Sequence, residues 1–507
     1  MIQNLPSELI AAIFAHLDVE SIAKCSQVSQ LFHDVTSTAD LQYLILLEAQ
    51  GQEDGPLKVA STLERTKALT EYASRWDKLD FAYEYTIPKS QGGLWELYGN
   101  VFAQNYASPA RIEFHQLAAH SRGIEKESWT VKGLDFPVRD FGMDPAQDLL
   151  VLVEKPRWRR NGPVEEREFR FHIRDIRTGE AHSQTTLKPA LVAIPQHKAD
   201  PDASYSIQTC GDFFGVHVMH HSGLLSDELR IWNWKTGALH LQLTGEDMHS
   251  FAFLSDKHVI IAVIPSSPNE QSHLKVVAFT HPTEEPVDIA RTDYLLSFDL
   301  PPMGHGAEMA EIHLRCDPSP VWRPNTPAPF FNAPENRVYI VTLWMHVNGA
   351  LDSCSLAIPL STLRAHLDDA DRPKRLPWGV WGPHGSRLIH LPHGASTVWV
   401  CYVYGTRYVI PLVLNGQVVL EIYDFNQLAT RKAAQEESMR EFEEGEMEVC
   451  NDPSTSFLPV FAEPVITRLP YRKTQLPLPV PPTAMLLSED SLIVVDRQDN
   501  QYVIKTI

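Results

Sequence analysis

Apolar side chains recur at helical spacing through the first 80 residues and at strand spacing after them, so the pattern divides the chain in two. Near the start, Leu9, Ile10, Ile13, Phe14 and Leu17 make one broad apolar helical face. Pro6 suits the first helical turn, where a missing N–H costs nothing, and Glu8 complements the N-terminal dipole. Asp18 is placed to cap a second helix carrying Val19 and Ile22. Val28, Leu31, Phe32 and Val35 continue the stripe on a third. Ser37 through Asp40 can cap a fourth, with Leu41, Leu44, Ile45 and Leu47 inward and an end at Gly51. Residues 1–50 therefore form one helical unit. Residues 51–80 form a connection: Gln50 to Pro56 is polar, and Ser61-Thr62-Leu63-Glu64 has the capping-box form. Leu69, Tyr72, Trp76 and Leu79 then share one face of a helix of about five turns.

Residues 81–507 read as all-β, with short apolar and aromatic runs between Gly, Pro, Asn and Asp clusters. A loose repeat has two halves. Phe141 to Val151 runs strand, acidic turn, strand, and Phe251 to Ile261 and Met485 to Val495 echo it. The other half, Ile173-Arg-Asp-Ile-Arg-Thr178-Gly179, returns as Ile231-Trp-Asn-Trp-Lys-Thr236-Gly237, with Ile422-Tyr-Asp424-Phe a weaker copy. A strand ending in Asp or Asn before Thr-Gly resembles the outer strands of a WD-repeat β-propeller blade. The resemblance implies seven units of about 60 residues, with six or eight blades left open. The surplus length falls in insertions near 155–168, 265–272, 317–336 and 429–482. Acidic Arg431 to Glu448 reads as a protruding helix or loop, and proline-dense Pro464 to Pro482 as an extended loop entering the last blade. The expected class is thus α plus all-β, a multidomain chain.

Composition narrows the functions. The 507 residues carry a formal charge of −20, which opposes nucleic-acid binding through a general field. The one basic run, Arg157-Trp158-Arg159-Arg160, is followed by Glu165, Glu166 and Glu168 and reads as a solvated loop. Six scattered cysteines without a C-x-x-C pair suggest reduced thiols. With no secretory pattern and no apolar run long enough to span a bilayer, a cytoplasmic or nuclear location is expected, without membrane association. No phosphate loop, dinucleotide fingerprint, H-E-x-x-H or nucleophile elbow occurs, so no cofactor, metal or catalytic residue is expected. His217, His220 and His221 on a strand, and His305 and His313 near Glu308 and Glu311, read as ordinary polar positions.

The N-terminal unit carries more apolar surface than it can bury alone, and below about 40 residues such a unit usually needs a metal, disulfides or a partner. Leu5-Pro6, Glu8-Leu9-Ile10, Ile13-Phe14, Leu17-Asp18, Ile22 and Val28-Ser29 occur in the order found in the F-box, which this segment closely resembles. Leu41-Gln42 departs from the Trp-Arg many members carry. Leu94-Trp-Glu-Leu-Tyr98 and the helix ending Trp76 to Asp80 resemble, more weakly, fungal F-box proteins. The resemblance implies a non-catalytic substrate-recognition subunit of an SCF-type ubiquitin ligase. Its F-box would dock on a Skp-type adaptor, and through it on cullin, while the β-domain binds a target protein. Carried over by position, the adaptor-binding residues would be Leu5, Pro6, Ile10, Ile13, Phe14, Leu17, Ile22, Val28 and Leu31, with Ile13 and Phe14 as anchors. Leu9, Val19 and Phe32 are shared between interface and internal packing. The alternatives are an F-box scaffold acting outside the ligase and a propeller enzyme with a site in its central channel.

Overall fold

A computed structural model describes residues 5–507 apart from 57–59, 108–109, 156–166, 190, 197–202, 222–224, 268–269, 284, 368–372, 392–400, 415–416, 438–446, 479–480 and 496–499. The basic run at 157–160 and residues 438–446 of the acidic insertion lie outside the described residues.

Helices α1 (Ser7–Phe14), α2 (Val19–Ser26), α3 (Gln30–Thr36) and α4 (Ala39–Ala49) come first, followed by α5 (Thr62–Lys78). Asp18 caps α2 by accepting from Ser21 N at 2.7 Å, and Ser29 caps α3 by accepting from Phe32 N at 3.2 Å. Ser61 and Glu64 make the reciprocal capping box of α5. Helix α1 stops at Phe14, so Leu17 lies beyond it and not on its face. Ile10, Phe14, Phe32, Val35 and Leu41 form the small core of the first four helices, with the Phe14 and Phe32 rings edge to face at 5.1 Å.

The β-region closes into a ring of seven blades, each a sheet of four or five strands. Blade 1 runs from Trp95–Tyr98 to Glu127–Lys132, and blade 2 from Val138–Asp144 to Leu191–Gln196. Blade 3 starts with Ser204–Cys210, blade 4 with Met248–Phe253, blade 5 with Ala307–Arg315 and blade 6 with Val403–Tyr404. In blade 7, Ala484–Leu487, Ser491–Val495 and Gln501–Thr506 are completed by Tyr83–Pro88 from the start of the β-region. That last pairing joins the two ends of the ring by backbone hydrogen bonds, with Tyr83–Pro88 as the outer strand of the blade.

Both repeat halves have structural meaning. The three strand–turn–strand segments are the first hairpins of blades 2, 4 and 7. At the Thr-Gly turns, Asp175 Oδ1 accepts from Arg177 N and Thr178 N, and Asn233 Oδ1 accepts from Lys235 N and Thr236 N. Gly179 and Gly237 have φ of +76° and +77°, where a side chain would be strained. The third copy differs. Asp424 accepts from Thr406 Oγ1 and Asn426 N and pairs with Arg472, and the chain then enters a helix, Gln427–Glu437. The proline-dense stretch is also no extended loop. Tyr471–Leu478 pairs with Gln417–Asp424 as an outer strand of blade 6, and Val465–Thr467 pairs with Ser454–Ser456. Pro477 is tolerated there near the end of the strand.

Candidate functional site

Two regions are candidate sites: the outer face of the first helices and the axis of the propeller.

On the helices, one residue of rotation separates core from surface. Ile13 is 42% exposed whereas its neighbour Phe14 is 3% exposed. Leu5, Leu9, Val28 and Leu31 are exposed as well, Leu9 at 52% and Val28 at 62%, and Pro6 is exposed beside them. Leu17 is half-buried. Of the other residues carried over as adaptor-facing, Ile10 and Phe14 are buried in the core of the small bundle, and Ile22 is buried outside that cluster. Leu9, expected to be shared with the interior, belongs to the exposed set. The result is a row of large apolar side chains facing solvent over residues 5–31, each worth about 1.5–3 kcal/mol if fully covered.

Behind this face, α4 and α5 are packed into the propeller. Tyr43, Leu47, Leu69, Tyr72, Trp76 and Leu79 share a core with Phe330, Tyr404, Tyr408, Phe425 and Leu487. Tyr72 Oη and Trp76 Nε1 both donate to Glu489 O, at 2.9 and 3.2 Å, in the first turn of blade 7. Buried Arg122 bonds Asp490 Oδ1 at 2.8 Å, meets Glu489 Oε2 at 3.0 Å and donates to Phe330 O at 3.1 Å. Burial pushes the Glu489 carboxyl up, to about 7, against the pull of Arg122. Tyr43 donates to Pro329 O and Asp54 Oδ1, both at 3.1 Å. Gln52–Asp54 pairs with Phe330–Asn332 of the 317–336 insertion, which also contacts Tyr98 of blade 1 and Pro145 of blade 2. Sequence reasoning missed Tyr43 and Arg122. Tyr43 sits beside the expected apolar positions, and no local pattern marks Arg122, whose partners are distant in the chain.

Along the axis, Glu96, Tyr98, Arg315, Cys316, Asp317 and Cys401 help line a cavity of about 40 Å³. Burial, reinforced by the nearby Asp317 carboxylate, pushes Glu96 up to about 8, and burial raises Asp317 to about 6. Glu96 Oε1 accepts from Leu97 N at 3.0 Å. The cavity has room for a water or two, far below the roughly 300–1,000 Å³ of small-molecule sites. Burial lowers His217 to about 3, keeping it neutral, with His249 and His220 adding to the effect. Among the described residues no cluster of His, Cys, Asp or Glu has the arrangement to hold a metal ion, all six cysteines are unpaired, and no helix is long and apolar enough to cross a membrane.

Residues 2–43 match the family model described as F-box-like. The chain thus has an F-box-like domain followed by a seven-bladed β-propeller. No curated protein matches it. Among solved structures, the eukaryotic initiation factor is 10% identical, with 84% of this chain and 85% of that one covered and a TM-score of 0.33. The uncharacterized protein lmo1340 from Listeria monocytogenes EGD-e is 8% identical, with coverage of 68% and 96% and a TM-score of 0.28. Hsv2 from Kluyveromyces lactis is 11% identical, with coverage of 51% and 94% and a TM-score of 0.20. At these scores the similarities bear no weight on fold or function.

Proposed function

We propose that this chain is the substrate-recognition subunit of an SCF-type ubiquitin ligase. The row of exposed apolar side chains on an F-box-like segment carries the reading, since a helical face of that kind calls for a protein cover. In this reading the F-box binds a Skp-type adaptor and thereby cullin, and the propeller holds a target protein. The helices sit at the end of the ring where the first hairpin of blade 7 turns, which leaves the opposite end to face a target. The contribution to catalysis is proximity: target lysines are held near the ubiquitin-charged enzyme. Location in the cytoplasm or nucleus belongs to the same proposal.

The test is affinity purification with ubiquitination inhibited, so that adaptor, cullin and trapped targets are read together. Wild type should recover adaptor and cullin, and Ile13→Asp should lose both while staying folded, because a covered unpaired carboxylate is costly. Recovery of adaptor at wild-type yield by folded Ile13→Asp would overturn the reading, and adaptor without cullin would favour a scaffold outside the ligase. A second reading, a propeller enzyme, is favoured by one observation: Glu96 and Asp317 lie together on the axis with shifted proton affinities. The size of that cavity ranks it second.

A further inference from the structure

The first hairpin of blade 5 is unlike the others. Its strands, Ala307–Arg315 and Val338–Val347, are joined by the 317–336 insertion, whereas a short turn serves in the other blades. The insertion is tied to the first hairpins of five other blades. Gly405 N of blade 6 donates to Asp317 O at 2.7 Å, and Ser319 N donates to Tyr98 Oη of blade 1 at 3.0 Å. Asn325 Nδ2 donates to Pro145 O of blade 2 at 3.2 Å, and Asn332 N donates to Glu489 Oε1 of blade 7 at 2.5 Å. Val321 closes on Gly211 of blade 3, where a β-carbon would stand 3.1 Å from its Cγ2.

The same insertion grips the helical side. Phe330–Asn332 pairs with Gln52–Asp54, just past α4. Gly55 N donates to Pro329 O and Ala333 N to Gly51 O, both at 2.9 Å, and Tyr43 of α4 donates to Pro329 O. Helix α5 is fixed on blade 7 by Tyr72 and Trp76. The insertion fixes different elements, α4 and the connection that leads from it to α5. Without that hold, α4 would be kept on the ring only by its packing on α5 and the shared core. Units joined by a connection move relative to one another unless an extensive interface stops them.

We infer that the 317–336 insertion is the positioning element of this receptor, holding the helical unit at one orientation to the whole ring. On the ligase reading above, on which this part rests, it thereby sets where an adaptor on the helices stands relative to a target on the propeller.

The test places spin labels, carried by unnatural amino acids, at exposed Lys24 of the helical unit and exposed Lys257 of blade 4 in the full chain. Pulsed electron resonance then reads the distance between them, which should be single and narrow in wild type. A β-carbon at Gly55 would stand 2.0 Å from Ala328 O, so Gly55→Ala must push the connection off the insertion and should lose the single distance. Tyr43→Phe removes both hydroxyl bonds, keeps the ring and should broaden the distance less. Gly379→Ala, where a β-carbon meets nothing within 4 Å, should leave it unchanged. Thermal melts check that each variant is folded. Calorimetry with a Skp-type adaptor should give affinities within about twofold of wild type, since the exposed apolar row is untouched. In a ligase reconstituted with adaptor, cullin and the ubiquitin-charged enzyme, self-modification of this chain should spread to more lysines in Gly55→Ala than in wild type. Either the wild-type distance or the wild-type set of lysines, kept by folded Gly55→Ala, overturns the inference. Should Gly55→Ala not fold, Tyr43→Phe decides it by the same readings. If wild type does not bind the adaptor, the ligase reading fails, and the distances alone decide whether the insertion holds the helical unit.

Discussion

Ile13 and Phe14 are adjacent and both apolar, yet they do different work. Phe14 holds the bundle together through Phe32, and Ile13 faces out. Phe14→Ala should cost the helical unit about 3–5 kcal/mol and lose adaptor binding through unfolding, visible as lost helical circular dichroism. A folded Phe14→Ala with normal helicity would contradict that assignment. Glu96 offers a second residue-scale prediction. Its carboxyl is raised to about 8 in the fold, above its ordinary range, so the folded chain holds a proton that the unfolded chain releases. The favourable linkage is complete below the ordinary carboxylate pKa and is lost as pH rises through 8. Glu96→Gln can keep the bond to Leu97 N without the charge. Its advantage in melting temperature over wild type should be small at pH 5 and widen up to pH 8, and a gap independent of pH would refute the buried acid.

At the scale of elements, the Thr-Gly turn was legible because every part of it is local. Asp175 and Asn233 bond to backbone two and three residues on, and the glycine supplies a positive φ. Asn233→Ala should cost about 1 kcal/mol. Gly237→Ala should cost more, because a β-carbon there would be strained and would meet Leu187 Cδ2 at 2.4 Å. Urea titration orders the two, and equal costs would mean the turn relaxes. Asp424 shares the strand-end pattern of the two turns, but its role is set by Arg472 and Thr406, far away in sequence. Tyr471–Leu478 was misread for a related reason. Proline density argues for a loop locally, and pairing with Gln417–Asp424 overrides it.

At the scale of the molecule, α5 is less a spacer than a part of the propeller. Tyr72 and Trp76 lie in the shared core and bond to one backbone carbonyl of blade 7. Trp76→Ala should therefore cost about 3–5 kcal/mol and let helical unit and propeller melt apart in scanning calorimetry. An unshifted melt would show that the two are joined elsewhere. A firm joint suits a receptor, since a target is presented at a defined distance only if the two halves move together.

The two classes of element, the helical caps, the F-box pattern and the repeating turns all depend on residues within a few positions of one another, so the amino-acid order is enough to read them. Closure by Tyr83–Pro88, the Arg122 ion cluster and the inward turn of Ile10 and Phe14 could not be read that way. Each depends on partners brought together by the ring or on competition for space in a small core. An apolar helical residue satisfies the same pattern whether its own fold buries it or a partner does, and only packing separates the two.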